Sequence, residues 1–145
     1  MPKSVFIATF PFPPEAVYAA MVDLSVWQWR SDLIGLEVHE DGRSFTEIGR
    51  SGSRTLFTIT EKSPGKRYAF RMEHPNFTGE WSGEFAAVPG GAQVTFTEDL
   101  RMSRPLLRLL APLFLPLKKM QKAYAADLLF YLTERARDAA PSSSA

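Results

Sequence analysis

The chain opens with alternating hydrophobic residues, breaks at a cluster of prolines and continues with helical spacing. In residues 4–10, both sets of alternating positions contain β-branched or aromatic side chains, which predicts a strand that is apolar on both faces. Prolines at positions 11, 13 and 14 end this strand, and Pro14 with Glu15 suits the first turn of a helix. The apolar residues that follow at helical spacing are Val17, Tyr18, Met21 and Val22. They predict a short helix that stops near Asp23–Ser25.

The middle of the chain predicts a meander of antiparallel strands separated by turn signals. Asp41-Gly42 indicates a two-residue hairpin, because both residue types tolerate a positive φ. Residues 51–53, 63–66 and 89–91 are rich in glycine, proline and serine and predict further turns. The predicted strands are Leu33–Glu40, Arg43–Arg50, Arg54–Lys62, Arg67–His74, Phe77–Val88 and Ala92–Met102. With the first strand they make seven.

The last part of the chain predicts one long amphipathic helix over Leu117–Arg137. Its apolar stripe consists of Met120, Tyr124, Leu128, Tyr131 and Leu132. A lone curved sheet cannot bury its concave face, and a helix of this length can lie across it. We therefore expect an α+β fold with a cavity between sheet and helix, a common kind of small-molecule site.

The stretch Leu106–Leu117 is rich in leucine, but it follows Pro105, is interrupted by Pro112 and Pro116, and carries Arg108. It is too short for a membrane span, and its prolines would break or kink a helix. It is either a lid that closes one end of the cavity or an exposed surface for contact with a second copy or a membrane. Residues 139–145 are small and polar, so we expect a single domain over residues 1–138 followed by a disordered tail.

Composition narrows the function classes. The 145 residues carry a net charge of +1, which argues against nucleic acid as the main partner. The absence of cysteine excludes disulfides and thiolate metal sites, and two histidines do not make a zinc site, so no metal or other cofactor is expected. The first residues lack the apolar core of a signal peptide, and with the missing cysteines this favours the cytoplasm.

Five segments resemble a known superfamily in their order and spacing. They are Pro14–Tyr18 with Asp23, Trp29–Leu33, Gly79–Trp81, Thr95–Asp99 and Pro105–Phe114. The chain resembles the START-like helix-grip superfamily (SRPBCC), in a bacterial subgroup of its polyketide cyclase/dehydrase-like branch. The resemblance implies a seven-stranded antiparallel sheet wrapped around the C-terminal helix, with an apolar cavity. It implies no particular reaction, because members include enzymes, lipid carriers, hormone receptors, quinone-binding proteins and co-chaperones.

Glu98 is the polar residue with the strongest positional argument. Strict alternation places it on the inward face between Phe96 and Leu100, where a carboxylate is costly unless it is paired and where burial raises its pKa. It is then a ligand-orienting or acid/base group, with the hydroxyl of Tyr124 or Tyr131 as its expected donor. A bulge that turns it outward, or an ion pair at the rim, is the structural alternative. Glu47 beside Phe45 has a similar but weaker argument.

The aromatic residues of the predicted inward faces either pack as a core or line the cavity. The cavity interpretation places Trp29, Trp81 and Tyr124 around one pocket. The predicted ligand-binding residues are Trp29, Phe45, Phe57, Tyr68, Phe70, Trp81, Phe85, Phe96, Glu98, Met120, Tyr124 and Leu128. No catalytic residue is assigned.

Three functional hypotheses remain. The leading one is a non-enzymatic protein that binds a hydrophobic or aromatic small molecule, such as a lipid, a polyketide or a quinone. The second is a cyclase, dehydrase or isomerase with Glu98 as general base. The third is an interaction module, such as a co-chaperone, that uses the Leu106–Leu117 surface and could form a homodimer.

Overall fold

Seven antiparallel strands form one curved sheet with the strand order β1-β7-β6-β5-β4-β3-β2. The structure, a computed structural model, describes residues 3–105 and 117–139. The elements are β1 (Lys3–Phe10), α1 (Pro14–Val22), β2 (Leu33–Val38), β3 (Ser44–Gly49), β4 (Arg54–Ser63), β5 (Arg67–His74), β6 (Phe77–Val88), β7 (Gly91–Met102) and α2 (Leu117–Ala139). The predicted α+β helix-grip fold is confirmed.

The turn between β2 and β3 is longer than predicted. β2 ends at Val38 and β3 begins at Ser44, so five residues connect them in place of the two-residue turn at Asp41-Gly42. The Asp41 carboxylate accepts hydrogen bonds from the backbone amides of Arg43 and Ser44, both at 2.9 Å. These bonds offer the backbone an alternative to the sheet ladder and widen the loop. Gly42 still has the positive φ that the sequence predicts, at 68°.

The helix α2 is held to the edge strand β1 by side chains that the sequence pattern does not single out. Gln121 is buried; its amide oxygen accepts a hydrogen bond from the Ser4 hydroxyl at 2.7 Å, and its amide nitrogen donates to the Ser4 carbonyl at 3.0 Å. Lys118 donates to the Val5 carbonyl at 2.9 Å. The buried stripe is therefore Leu117, Gln121, Ala125, Leu128 and Leu132, whereas Met120 is 49% exposed. The predicted stripe is correct at Leu128 and Leu132, which are buried, and at Tyr124 and Tyr131, which are partly buried and pack against the core. Gln121 and Ala125 complete the buried stripe, and Met120 is its most exposed predicted member.

The predicted lid or contact surface and the predicted disordered tail lie almost entirely outside the described residues. Of the first, only Leu117 is described, and it is buried at the start of α2. Of the second, only Ala139 is described, and it is the last residue of α2. No helix in the described ranges is long and apolar enough to cross a membrane.

Candidate ligand-binding site

A cavity of about 350 Å³ lies between the concave face of the sheet and α2. This volume falls within the range of small-molecule sites in proteins, at its lower end. The walls come from the six strands β2 to β7, from both helices and from the loop that joins α1 to β2. Gly83, which the sequence places on the inward face, lies beside this wall, and a Cβ atom there would be 3.3 Å from the Trp81 ring.

Nine of the twelve predicted ligand-binding residues line this cavity: Phe45, Phe57, Tyr68, Phe70, Trp81, Phe96, Glu98, Met120 and Tyr124. The prediction that Trp81 and Tyr124 share one pocket is confirmed in geometry. Whether any of these residues contacts a ligand stays a prediction.

The other three predicted residues, Trp29, Phe85 and Leu128, do not line the cavity. The prediction that they lie in its wall is wrong. The Trp29 indole donates to the Val26 carbonyl at 2.9 Å, and its ring lies against Tyr124 and stacks on Tyr131 at 5.8 Å. Trp29 thus supports the cavity wall from behind. Phe85 packs against Tyr18 of α1 at 5.6 Å, and Leu128 is fully buried in the core.

Five rings on neighbouring strands form a continuous surface, called here the aromatic wall: Phe45, Phe57, Phe70, Trp81 and Phe96. Phe45 and Phe57 are register partners on β3 and β4 and stack at 5.0 Å. Phe70 and Trp81 are register partners on β5 and β6 and stack at 4.6 Å with parallel planes. Cross-strand aromatic pairs stabilise a sheet and fix the rings. The result is a rigid apolar surface that suits a flat ligand.

Charged and polar groups line the same cavity beside these rings and are called here the polar wall: Arg30, Asp32, Glu47, Tyr68 and Glu98. Arg30 is at its centre. Its guanidinium binds Asp32 through bonds of 2.8 and 2.9 Å and Glu47 through bonds of 3.1 and 3.2 Å. Only 14% of the Arg30 side chain and 12% of the Glu47 side chain are exposed. Paired, two-pronged bonds of this kind are the strongest that arginine makes with carboxylates.

The loop that carries Arg30 is fixed to α2. The backbone amide and hydroxyl of Ser31 both donate to the Asp127 carboxylate, at 2.8 and 2.7 Å. The Arg30 guanidinium also lies over the Tyr124 ring, 4.8 Å from its centre. Arg30 is therefore an exception to the usual exposure of arginine side chains. Because Arg30 lies in a loop, where side chains follow no period, the sequence does not predict which way it points. Its neighbours Trp29 and Asp32 are the only sequence features that indicate a role for it in the site.

Glu98 faces the cavity between Phe96 and Leu100, and the predicted inward orientation is confirmed. No bulge turns it away, since β7 pairs without a register shift with β6, and Trp81 is the partner of Glu98. Burial, with a smaller contribution from Glu47, raises the pKa of Glu98 to about 7, and Arg30 lowers it in part. Within the described residues no side chain donates a hydrogen bond to it, so the expected bond from Tyr124 or Tyr131 does not form.

The Tyr68 hydroxyl is the second polar group that lacks a partner. Tyr68 is 2% exposed, and its oxygen makes no hydrogen bond within residues 3–105 and 117–139. Burial raises the pKa of this hydroxyl far above its usual value, and Tyr124 and Glu47 raise it further, so it stays protonated. Buried tyrosine hydroxyls usually find a partner, and an unpaired one is costly. The sequence singles out Tyr68 for its ring, and nothing in the pattern shows that its hydroxyl is unpaired.

Neither histidine lines the cavity. His39 hydrogen-bonds Ser44 and Thr46, and His74 hydrogen-bonds Ser53 and stacks on Phe77. No group of three or more metal-ligating side chains occurs in the described part of the chain.

Comparison with known proteins supplies a family. Residues 2–129 match the profile of the family described as polyketide cyclase / dehydrase and lipid transport. No curated protein resembles the chain closely enough to count as a match.

Solved structures with the same fold include one that is named as an enzyme and others whose names state no activity. The Zhui aromatase/cyclase from Streptomyces sp. R1128 is 14% identical, with a TM-score of 0.79 over 97% of this chain and 99% of that one. A START superfamily protein from Mycobacterium smegmatis is 11% identical, with a TM-score of 0.72 over 92% and 98%. A protein from Thermus thermophilus is 23% identical, with a TM-score of 0.69 over 97% and 100%. At these identities the likeness establishes the fold alone.

Proposed function

The chain belongs to the polyketide cyclase / dehydrase and lipid transport family, and from this premise we propose that it binds a hydrophobic or aromatic small molecule. The observation that carries the proposal is the cavity of about 350 Å³ with the aromatic wall on one side. Burial of apolar surface stabilises a complex by roughly 25 cal/mol per Å² before entropy costs. A flat ligand of two rings would bury most of its surface here.

The polar wall would set the orientation of this ligand. Glu98 and the Tyr68 hydroxyl have no hydrogen-bond partner in the described structure, and Tyr124 of α2 lines the same cavity. A small number of polar groups in an apolar pocket is the usual source of ligand specificity. Arg30 keeps its two carboxylates and acts as the support of this wall.

The proposal is tested with N-phenyl-1-naphthylamine, a neutral dye whose fluorescence rises in apolar surroundings. Thr55 lines the cavity and is only half-buried, so a Thr55→Trp ring can fill the space without replacing a core residue. Thr78→Trp is the matched control, because Thr78 is exposed on the outer face of β6. We expect saturable binding to the wild type and Thr78→Trp, and a loss of about tenfold or more in Thr55→Trp.

Equal binding to the wild type and Thr55→Trp would place the dye elsewhere and contradict the proposal. Circular dichroism of each variant establishes that the fold is kept.

A second candidate function is supported by Glu98 itself. A carboxylate whose pKa lies at about 7 is matched to proton transfer at neutral pH. In an enzyme of cyclase, dehydrase or isomerase type, Glu98 would take a proton from a carbon next to a carbonyl group. The bonding pair would move onto the carbonyl oxygen, where the Tyr68 hydroxyl could donate a hydrogen bond.

This candidate is tested by proton exchange in a small ketone. In D2O, a base in the cavity exchanges the hydrogens at C1 of 2-tetralone for deuterium, and NMR measures the rate. The enzyme hypothesis predicts faster exchange with the wild type than with Glu98→Gln at equal occupancy. Equal rates for the two proteins would leave binding as the only supported function.

A further inference from the structure

We infer that the ligand of this cavity is an organic amine, whose ammonium group binds the Glu98 carboxylate and the rings beside it. The inference rests on the proposed function, because it names the chemistry of the ligand in that same cavity.

The charges around the cavity do not balance. One cationic side chain, Arg30, lines it together with the carboxylates of Asp32, Glu47 and Glu98. The Arg30 guanidinium already forms ion pairs with both Asp32 and Glu47. No other lysine, arginine or histidine of the described residues lines the cavity. A ligand carboxylate would therefore meet excess negative charge, whereas a cation would reduce it.

Aromatic rings surround the unpaired carboxylate. Trp81 lies opposite Glu98 on β6, and Phe96 lies two residues away on the same face of β7. The centres of Trp81, Phe96 and Tyr124 are 5.7 to 6.0 Å apart from one another. The faces of such rings attract ammonium groups, and Tyr124 already holds the Arg30 guanidinium over its ring.

The Tyr68 hydroxyl is an independent sign that a ligand belongs here. It is buried, borders the cavity and has no partner in the described structure. Burial raises the pKa of this hydroxyl, and Tyr124 and Glu47 raise it further, so it stays a hydrogen-bond donor. A ligand with polar groups would satisfy the buried Tyr68 hydroxyl and the half-buried Glu98 carboxylate, which line the same cavity.

Binding of an amine should strengthen as the pH rises through about 7, where Glu98 loses its proton. The groups that face Glu98 are Arg30 and Asp32 from the loop, Glu47 from β3, Tyr68 from β5 and Tyr124 from α2. Arg30 stays charged, and the two tyrosines stay protonated because burial raises the pKa of each. Glu98 is therefore the group expected to control this pH dependence.

The experiment uses three probes that share one ring system and differ in charge: 2-naphthylmethylamine, 2-naphthylmethanol and 2-naphthoic acid. Calorimetry measures their affinities at about pH 8. We expect the amine to bind at least about tenfold more tightly than the acid, with the alcohol between them. Between about pH 6 and pH 8 the affinity of the amine should rise by up to about tenfold.

Glu98→Gln keeps the shape and removes the charge. It should lower the affinity for the amine by about tenfold, change the affinity for the alcohol by less than about twofold, and abolish the pH dependence of amine binding. Glu80→Gln is the matched control, because Glu80 is exposed on the outer face of β6 and its loss should change none of the three affinities.

Equal affinities for the three probes, tightest binding of the alcohol or the acid, or an unchanged amine affinity in Glu98→Gln would overturn the inference and leave the proposed function standing. Failure of all three probes to bind would contradict both.

Discussion

The aromatic wall and the polar wall lie side by side in the same cavity, yet they differ in how their side chains are satisfied. Each ring of the aromatic wall packs against at least one other ring, as Phe70 does against Phe45, Phe57, Tyr68 and Trp81. In the polar wall only Arg30, Asp32 and Glu47 satisfy one another. Glu98 and the Tyr68 hydroxyl have no partner in the described structure.

This difference separates stability from recognition. The aromatic wall is complete without a ligand and contributes mainly to the free energy of folding. An unpaired buried polar group costs about 1–3 kcal/mol, so the polar wall is less stable than an apolar one would be. Groups that break the rule of satisfied burial are expected at functional sites. We therefore propose that the aromatic wall supplies stability and apolar contact area for a ligand, whereas the polar wall supplies selectivity between ligands.

The largest expected effect on stability lies in the aromatic wall. Phe70→Ala removes a ring that contacts four others, and it should lower the free energy of unfolding by about 3–5 kcal/mol, measured by urea denaturation. Phe130→Ala, at a position of α2 that is 69% exposed, is the control and should change it by less than about 0.5 kcal/mol. A loss below about 1 kcal/mol in Phe70→Ala would mean that the wall does not support the fold.

The next effect concerns the support of the polar wall. Arg30→Met leaves Glu47 nearly buried without its cation, which should lower the free energy of unfolding by about 3 kcal/mol. The double variant Arg30→Met/Glu47→Leu should recover much of this loss, because it removes the unpaired charge. If the double variant is no more stable than the single one, the ion pair is not what holds this wall.

Glu98 should make stability depend on pH. Its pKa of about 7 in the folded protein is above its ordinary value of 4.5, so its favourable contribution is complete below about pH 4.5 and is lost as the pH rises through 7. The loss is about 3 kcal/mol, because one pKa unit corresponds to 1.36 kcal/mol. Glu98→Gln should therefore exceed the wild type in stability at about pH 8 and not at about pH 4.5. Denaturation curves that shift equally at both pH values would contradict this account.

The smallest effect should come from Tyr68→Phe. Because the hydroxyl has no partner in the described structure, its removal should leave stability unchanged or raise it by up to about 1 kcal/mol. Ser4→Ala is the contrast, since it removes the bond to Gln121 and should cost about 1 kcal/mol. Calorimetry measures the thermal stability of both variants. A clear loss of stability in Tyr68→Phe would show that the hydroxyl has a hydrogen-bond partner and would contradict this prediction.

The sequence predicts the aromatic wall but misses Arg30 and Asp32 of the polar wall, for a physical reason. Phe45, Phe70, Trp81 and Phe96 lie on strands, where strict alternation assigns each side chain to a face. The same rule places Glu98 correctly. Arg30 lies in a loop, where no period exists, and its partner Glu47 is far away in the chain. Trp29 is misplaced for the same reason.

Helix α2 shows a second limit of pattern reading. Hydrophobicity favours Met120 for the buried stripe, whereas Gln121 occupies that place because it satisfies Ser4 of the edge strand. A polar side chain that is buried through hydrogen bonds to a distant strand leaves no local signal. The same holds for Asp127, which fixes the Arg30 loop through Ser31.

The central claim, that a small molecule binds between the sheet and α2, is tested most directly by NMR on protein with labelled methionine methyl groups. Met21, Met72 and Met120 come from α1, β5 and α2 and all line the cavity. With N-phenyl-1-naphthylamine at saturation, we expect intermolecular NOEs from the dye to all three methyl groups, and their loss in Thr55→Trp. Absence of these NOEs in the wild type, while the dye is bound, would contradict the claim.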